Sequence, residues 1–262
     1  MPPKVNVLGV GVSAMNLRVA TTLLLDAARA GRGGYVCVTG VHGVSEAQRD
    51  AGFKRILNDA FLNTTDGMPL VWLAKWRAGG DIGRVYGPDL MLALCEAGVE
   101  DGLTHFFYGG GEGTAGLLAE KLGARFPGLK VAGVKTPPFR ELDPSELAVL
   151  AARVNMLKPR FFWVGLGAPK QEKFMAQFAP RIAASGTVLL GVGAAFDFLS
   201  GRARQAPRWM RRCGLEWFFR LCMEPRRLWR RYLINNPLFV LRVALQLLGL
   251  KRYPLEETQR KG

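Results

Sequence analysis

Short apolar runs rich in Val, Phe and Leu alternate along this chain with longer stretches whose apolar positions recur every three to four residues. The short runs are VNVLGV (5–10), YVCVTG (35–40), HFFYGG (105–110), LKVAGV (129–134), RFFWVGLG (160–167) and TVLLGVG (187–193). Each has the length and composition of a buried strand. The longer stretches, 16–30, 68–76, 88–97, 114–126, 144–157 and 171–184, carry helical spacing. Strand and helix signals in alternation predict an α/β fold: a mostly parallel, Rossmann-like sheet with flanking helices. Gly9, Gly40, Gly109, Gly165 and Gly191 fall at predicted strand ends, where an open α/β sheet keeps its ligand crevice.

Composition narrows the class. With 262 residues, 49% hydrophobic content and 32 glycines, the chain can bury a substantial core, which excludes a disordered protein. Cys37, Cys95, Cys213 and Cys222 lack metal-site spacing and suit a reducing compartment. The first residues, MPPKVNVLGVGVSAMN, do not form a secretion signal, so the expected location is cytoplasmic.

Charge then divides the chain. Residues 202–262 hold 15 of the 36 basic side chains and 4 of the 21 acidic ones, which is +11 of a net +15. Trp209, Trp217, Phe218, Phe219, Trp229 and Phe239 are interleaved with these arginines. Arginine stems lie along apolar surface while their heads reach anions, and Trp suits a water–lipid boundary. The stretch 237–250 is shorter than the roughly 20 residues a bilayer crossing needs, so attachment would be peripheral. The expected organisation is a catalytic core over 1–200, with a subdivision near 101–104, followed by a basic, helical appendage over 201–262.

Several loops are candidates for chemistry. GVGVSAMN (9–16) supplies Gly9 and Gly11 of a dinucleotide fingerprint, but Ala14 stands in place of its third glycine and no acidic residue closes the next strand. It reads as a strand-to-helix turn, with a cofactor clamp at Gly9 as the alternative. In LNTTDGMPLVW (62–72), Asp66 follows what reads as a polar turn. It is either a helix cap or a general base. VGLGAPKQEKFM (164–175) places Gly165 and Gly167 before a helix start with Lys170, Gln171 and Glu172 in its first turn, a setting for a diphosphate. Gly110 and Gly111 in FYGGGEGTAG accommodate a nucleotide but lack a P-loop ending. Asp197, between Phe196 and Phe198, is either paired with Arg202 or Arg204 or contacts a substrate hydroxyl. His42 lies just past a strand and reads as a ligand contact; His105, inside a strand, reads as a core residue.

Together TDGMPLVW, FFYGG, GLGAPKQE, GVGAAFDFLSG and LEWFFRL-EP-R make the chain resemble the WecG/TagA/CpsF glycosyltransferase family from about Val5 to Arg231. The resemblance implies an inverting, metal-independent transfer of a sugar from a UDP-sugar to a polyprenyl-diphosphate-linked glycan at the cytoplasmic membrane. N-acetylmannosamine is frequent in the family; glucose or a related hexose or uronic acid is the wider class. It implies Asp66 as base, Thr39 as the family's strand-end threonine, and Gln171 as part of the nucleotide-sugar site. Members often carry Asn shortly after that threonine, where this chain reads TGVHG, so Gly40 and His42 mark a place where sugar or acceptor recognition differs.

The resemblance also makes Arg208, Arg211, Arg212, Arg220, Arg226 and Arg227 candidates for acceptor diphosphate or anionic lipid. No cofactor or metal is expected, no nucleic-acid partner is expected, and the oligomeric state stays open. Two competing classes are an NAD-dependent oxidoreductase and a non-catalytic binder of anionic polymers.

Overall fold

The computed structural model describes residues 1–255. In chain order the elements are β1 (Lys4–Val7), β2 (Val10–Ser13), α1 (Leu17–Arg29), β3 (Gly34–Thr39), α2 (Val41–Glu46), α3 (Ala51–Asp59), β4 (Leu62–Thr65), α4 (Met68–Ala78), α5 (Gly87–Ala97), β5 (Thr104–Gly109), α6 (Thr114–Arg125), β6 (Lys130–Lys135) and α7 (Pro144–Leu157). They continue with β7 (Phe161–Gly165), α8 (Lys170–Phe178), a 3-10 segment (Ala179–Ser185), β8 (Val188–Gly191), α9 (Ala195–Ser200), α10 (Arg208–Arg212), α11 (Glu216–Met223), α12 (Pro225–Leu233) and α13 (Asn235–Leu247). A six-stranded sheet has the order β4-β3-β8-β7-β5-β6, giving the α/β, Rossmann-like architecture. The chain forms two compact units. One holds Met1–Asn16, Thr39–Val85 and Gln205 onward; the other holds Leu17–Val38 and Tyr86–Arg204.

In the second unit β3, β8, β7 and β5 pair in parallel, with β6 beside β5. Phe106, Phe107, Phe161, Phe162, Trp163, Leu189 and Leu190 are fully buried on these strands, so both sheet faces are covered, as a parallel sheet requires. His105 is a core residue, as its strand context predicts. Its Nδ1 accepts a hydrogen bond from Trp163 Nε1 at 3.0 Å. The 101–104 stretch lies inside this unit, between α5 and β5.

The first unit departs from the sequence reading in two places. VNVLGV is not one strand: β1 and β2 form an antiparallel hairpin that turns through Leu8 and Gly9, both with positive φ (54° and 80°). That two-residue geometry matches the twist of paired strands. Gly9 therefore sits in a hairpin turn and not ahead of a helix, so it has no helix N-terminus with which to hold a phosphate. The expected strand-to-helix turn at Gly9 is corrected accordingly.

The second departure is LNTT, which is a fully buried strand, β4, and not a polar turn. Its polarity has a structural cause. Asn63 Nδ2 donates to the Gly11 carbonyl at 3.1 Å, and the Asn63 amide donates to Ser13 Oγ at 3.3 Å. Asn58, at the end of α3, accepts from the Gly11 amide at 2.8 Å and donates to the Gly9 carbonyl at 3.0 Å. Buried amide side chains thus satisfy hairpin backbone groups that would otherwise be orphaned.

Burial lowers the His105 pKa from 6.5 to about 4, so the folded state resists a proton that the unfolded chain accepts. Stability is therefore lost as pH falls from about 6.5 toward 4, by up to about 3 kcal/mol. Urea melts at pH 7 and pH 4 test this: the difference between the two should shrink in His105→Gln, which retains an acceptor for Trp163.

Candidate active site

Asp66 follows β4 directly and is bounded by Gly67. Its amide donates to the Thr39 carbonyl at 2.9 Å, which places it beside the end of β3. Gly67, whose side chain cannot cap, is the N-cap of α4, so Asp66 does not cap that helix and its carboxylate is available for other chemistry. The carboxylate lies over Gly40: a Cβ there would stand 3.9 Å from Asp66 Oδ2. Thr39 is buried, and its Oγ1 has no hydrogen-bond partner among the described residues. His42 lies in the first turn of α2, half-buried, with Nδ1 3.8 Å from Glu46 Oε1.

The strongest contacts to Asp66 come from a residue the sequence did not single out. Arg84 Nη2 is 3.3 Å from Asp66 Oδ1 and 2.7 Å from Glu216 Oε2, while Arg84 Nε donates to the Asp66 carbonyl. Burial raises the Asp66 carboxyl from 3.8 to about 6. The Arg84 charge opposes that rise, Glu216 adds to it, and the Arg84 hydrogen bond and Arg220 oppose it. Asp66 is thus poised near neutrality, as a general base should be.

Besides Arg84, the cations Arg220 and Arg231 act on this carboxylate, and the helices that carry them hold further arginines. Arg220 is half-buried on α11. Arg231 on α12 has its Nε buried without a hydrogen-bond partner among the described residues, and burial holds its guanidinium below the usual arginine value. Arg227 also acts on Arg231 while pairing with Glu224 at 2.8 Å. Arg208 and Arg212 on α10 and Arg226 on α12 are exposed, and Arg211 is half-buried. Trp209, Phe218 and Trp229 are exposed on the same helices, and Val240 and Leu241 on α13. Among the described residues no helix is long and apolar enough to cross a membrane.

The second unit holds the other candidates at the ends of three neighbouring parallel strands: Gly110 and Gly111 after β5, Gly165 and Gly167 at and after β7, and Asp197 on α9 after β8. This is the position at which open α/β sheets bind ligands. Lys170 is exposed in the first turn of α8. Gln171 and Glu172 are buried there and act first on the loop itself. Gln171 Oε1 accepts from the Gly167 amide at 3.2 Å, and its Nε2 donates to Glu172 Oε1 at 2.9 Å. Asp197 is half-buried, its carbonyl accepting from the Ala203 amide at 3.0 Å. Arg202 lies over the Gly111–Gly113 loop: its Nη2 would be 3.2 Å from a Cβ on Gly113.

Two glycines are required by close packing. A Cβ at Gly109 would sit 2.7 Å from the Gly165 backbone, and one at Gly165 would sit 2.5 Å from the Phe196 ring. The model of the Glycosyl transferase WecG/TagA/CpsF family matches residues 5–253, and the chain belongs to that family.

Curated relatives agree. The chain is 27% identical over 197 residues (75% of this chain, 73% of the relative) to the N-acetylglucosaminyldiphosphoundecaprenol N-acetyl-beta-D-mannosaminyltransferase of Bacillus subtilis strain 168. It is 30% identical over 188 residues (72% of this chain, 70% of the relative) to the protein of the same name from Bacillus spizizenii strain W23.

Gly165→Ala should force the Phe196 ring and α9 outward and lower stability by about 1–3 kcal/mol. Chemical denaturation of the purified variant measures this directly.

Proposed function

We propose that the chain is an inverting glycosyltransferase that moves a sugar from a UDP-sugar to a hydroxyl of a polyprenyl-diphosphate-linked glycan. The observation that carries this reading is the Asp66 carboxylate, raised to about 6 by burial and flanked by arginines, in a chain of this family. The acceptor hydroxyl attacks the anomeric carbon as its proton passes to an Asp66 oxygen. The bond to the UDP oxygen breaks on the opposite face, and UDP leaves with the bonding pair. A single displacement inverts the centre, so an α-linked donor gives a β-linked product; the names of both relatives carry a beta linkage.

The glycine loops after β5 and β7, with Lys170 and the first turn of α8, are assigned to the donor, and Asp197 to a sugar hydroxyl. Gln171 and Glu172 serve the donor by holding the Gly167 loop in shape. The leaving diphosphate is stabilised by helix N-termini and basic side chains, with no catalytic cation. Arg220, Arg227 and Arg231 are assigned to the acceptor diphosphate. Thr39 and His42, beside the base, are assigned to orienting the acceptor. The sugar is an N-acetylhexosamine or related hexose, and the TGVHG sequence beside Asp66 is where its choice would differ from that of relatives.

The exposed arginines and aromatics of α10–α13 support peripheral attachment to an anionic membrane surface, on the cytoplasmic side where nucleotide sugars are made. A screen of UDP-sugars against membrane-extracted polyprenyl acceptors, with mass analysis of the lipid product, tests the transfer. No glycosylated lipid from any donor would refute it.

Asp66→Asn should lower kcat at least ~100-fold without lowering the melting temperature, because the fold already disfavours the charged carboxylate. Because the base must be unprotonated, wild-type kcat/KM should fall below about pH 6, tenfold per unit, and be flat above it. Near-normal transfer by the Asn variant would remove Asp66 from the base role. Arg208→Glu combined with Arg212→Glu, both exposed, should weaken recruitment to vesicles containing anionic lipid at least ~10-fold at low salt. Flotation assays read this, and unchanged recruitment would dismiss that surface.

A further inference from the structure

We propose that Glu216 is a positioning residue for Asp66, acting through Arg84: by holding the guanidinium it limits how fully that cation pairs with the base. The inference rests on Asp66 being the base. Arg84 is held at two points besides the carboxylate, by Glu216 Oε2 at 2.7 Å and by the Asp66 carbonyl through Nε, whereas its contact with Asp66 Oδ1 is the longer, 3.3 Å. A guanidinium free of Glu216 would close on Asp66 as a bidentate partner and make it a weaker base.

The ordinary reading of an acidic residue in the first turn of a helix is favourable interaction with the helix dipole. Glu216 does begin α11, but it is buried, with only 9% of its surface exposed, and spends its shortest contact on Arg84. The charged groups bearing on Asp66 are Arg84 from the loop before α5, Glu216 and Arg220 from α11, and Arg231 from α12. Of these, Glu216 alone is an anion, and it acts in the same direction as burial. Because Glu216 is carried by the basic helices, the strength of the base depends on α11 being seated. Where α11 is displaced, Arg84 loses Glu216 and is freer to pair with the Asp66 carboxylate, which weakens the base before any substrate is bound.

The test is a 13C carboxyl NMR titration of Asp66 in the full chain, beside the pH profile of kcat/KM. In Glu216→Gln the Asp66 midpoint should fall by roughly half a pH unit or more, and the acid limb of kcat/KM should move with it. An unmoved midpoint overturns the proposal, since loss of a merely structural dipole contact would not shift Asp66. The same substitution in an Arg84→Gln chain should move the midpoint less than half as far; an equal movement overturns the route through Arg84. Should the Gln variant not fold, Glu216→Asp serves instead: a midpoint below wild type supports the proposal, and one equal to wild type overturns it. The titration reports the coupling even if Asp66→Asn retains turnover, so failure of the base assignment is separately visible.

Discussion

Arg84 is shared by two carboxylates, the half-buried Asp66 and the buried Glu216, and it joins distant parts of the first unit. Its guanidinium ties the end of β4, through the Asp66 carbonyl, to the start of α11, through Glu216. Pairs of buried charges cost solvation that their attraction must offset, and an arginine with its planar fork can serve both partners at once. With a second carboxylate drawing on the same guanidinium, Asp66 is neither fully neutralised nor left unsupported. Burial then dominates, and the carboxyl is raised where an isolated Asp–Arg pair would be depressed. The end of β4, the loop that carries Arg84 and the start of α11 are therefore tied together at one guanidinium.

The second unit works by a different constraint, the close approach of backbones at strand ends. Gly110 donates to the Gly165 carbonyl at 3.0 Å, and Phe196 lies against Gly165 where any side chain would intrude. Gln171 braces the next loop from inside, against Gly167 and the Gly191–Gly193 segment. A rigid, side-chain-free rim of this kind holds its shape before a ligand arrives, which is the property a preorganised binding loop needs.

The runs that became β3, β5, β7 and β8 were legible as strands because parallel strands covered on both faces are nearly continuously apolar, and the edge strand β6 by its valines. The same rule hid β4, whose Asn63, Thr64 and Thr65 are fully buried yet polar: Asn63 serves the neighbouring hairpin, and Thr65 Oγ1 donates to the Gly83 carbonyl at 2.9 Å. The hairpin was hidden for a related reason: Leu8 at positive φ is costly for a non-glycine residue and gives no turn signal, although the Asn6 side chain accepts the Gly9 amide at 2.8 Å. Asp66, Thr39 and the PKQE loop could be found from local sequence. Arg84, Glu216 and Arg231 could not, because their importance lies in contacts between segments far apart in the chain: Arg84 and Glu216 are separated by 132 positions. The excess of arginine over 202–262 was the only signal that some of these side chains would turn inward.

The hairpin is also clasped from the far end of the chain. Gln246 Oε1 accepts from the Leu8 amide at 3.0 Å, Asn6 Nδ2 donates to the Tyr253 carbonyl at 2.7 Å, and the Pro254 carbonyl lies against Gly9. During synthesis these strands must therefore wait for residues 238 to 247 positions further along before their edge is closed. The second unit, complete by Arg204, has no such dependence. Synthesis itself imposes an order: the strand-end glycine loops can be built before residue 205 is made, and the first unit, with Asp66 and its arginines, is assembled only once the chain has reached Tyr253.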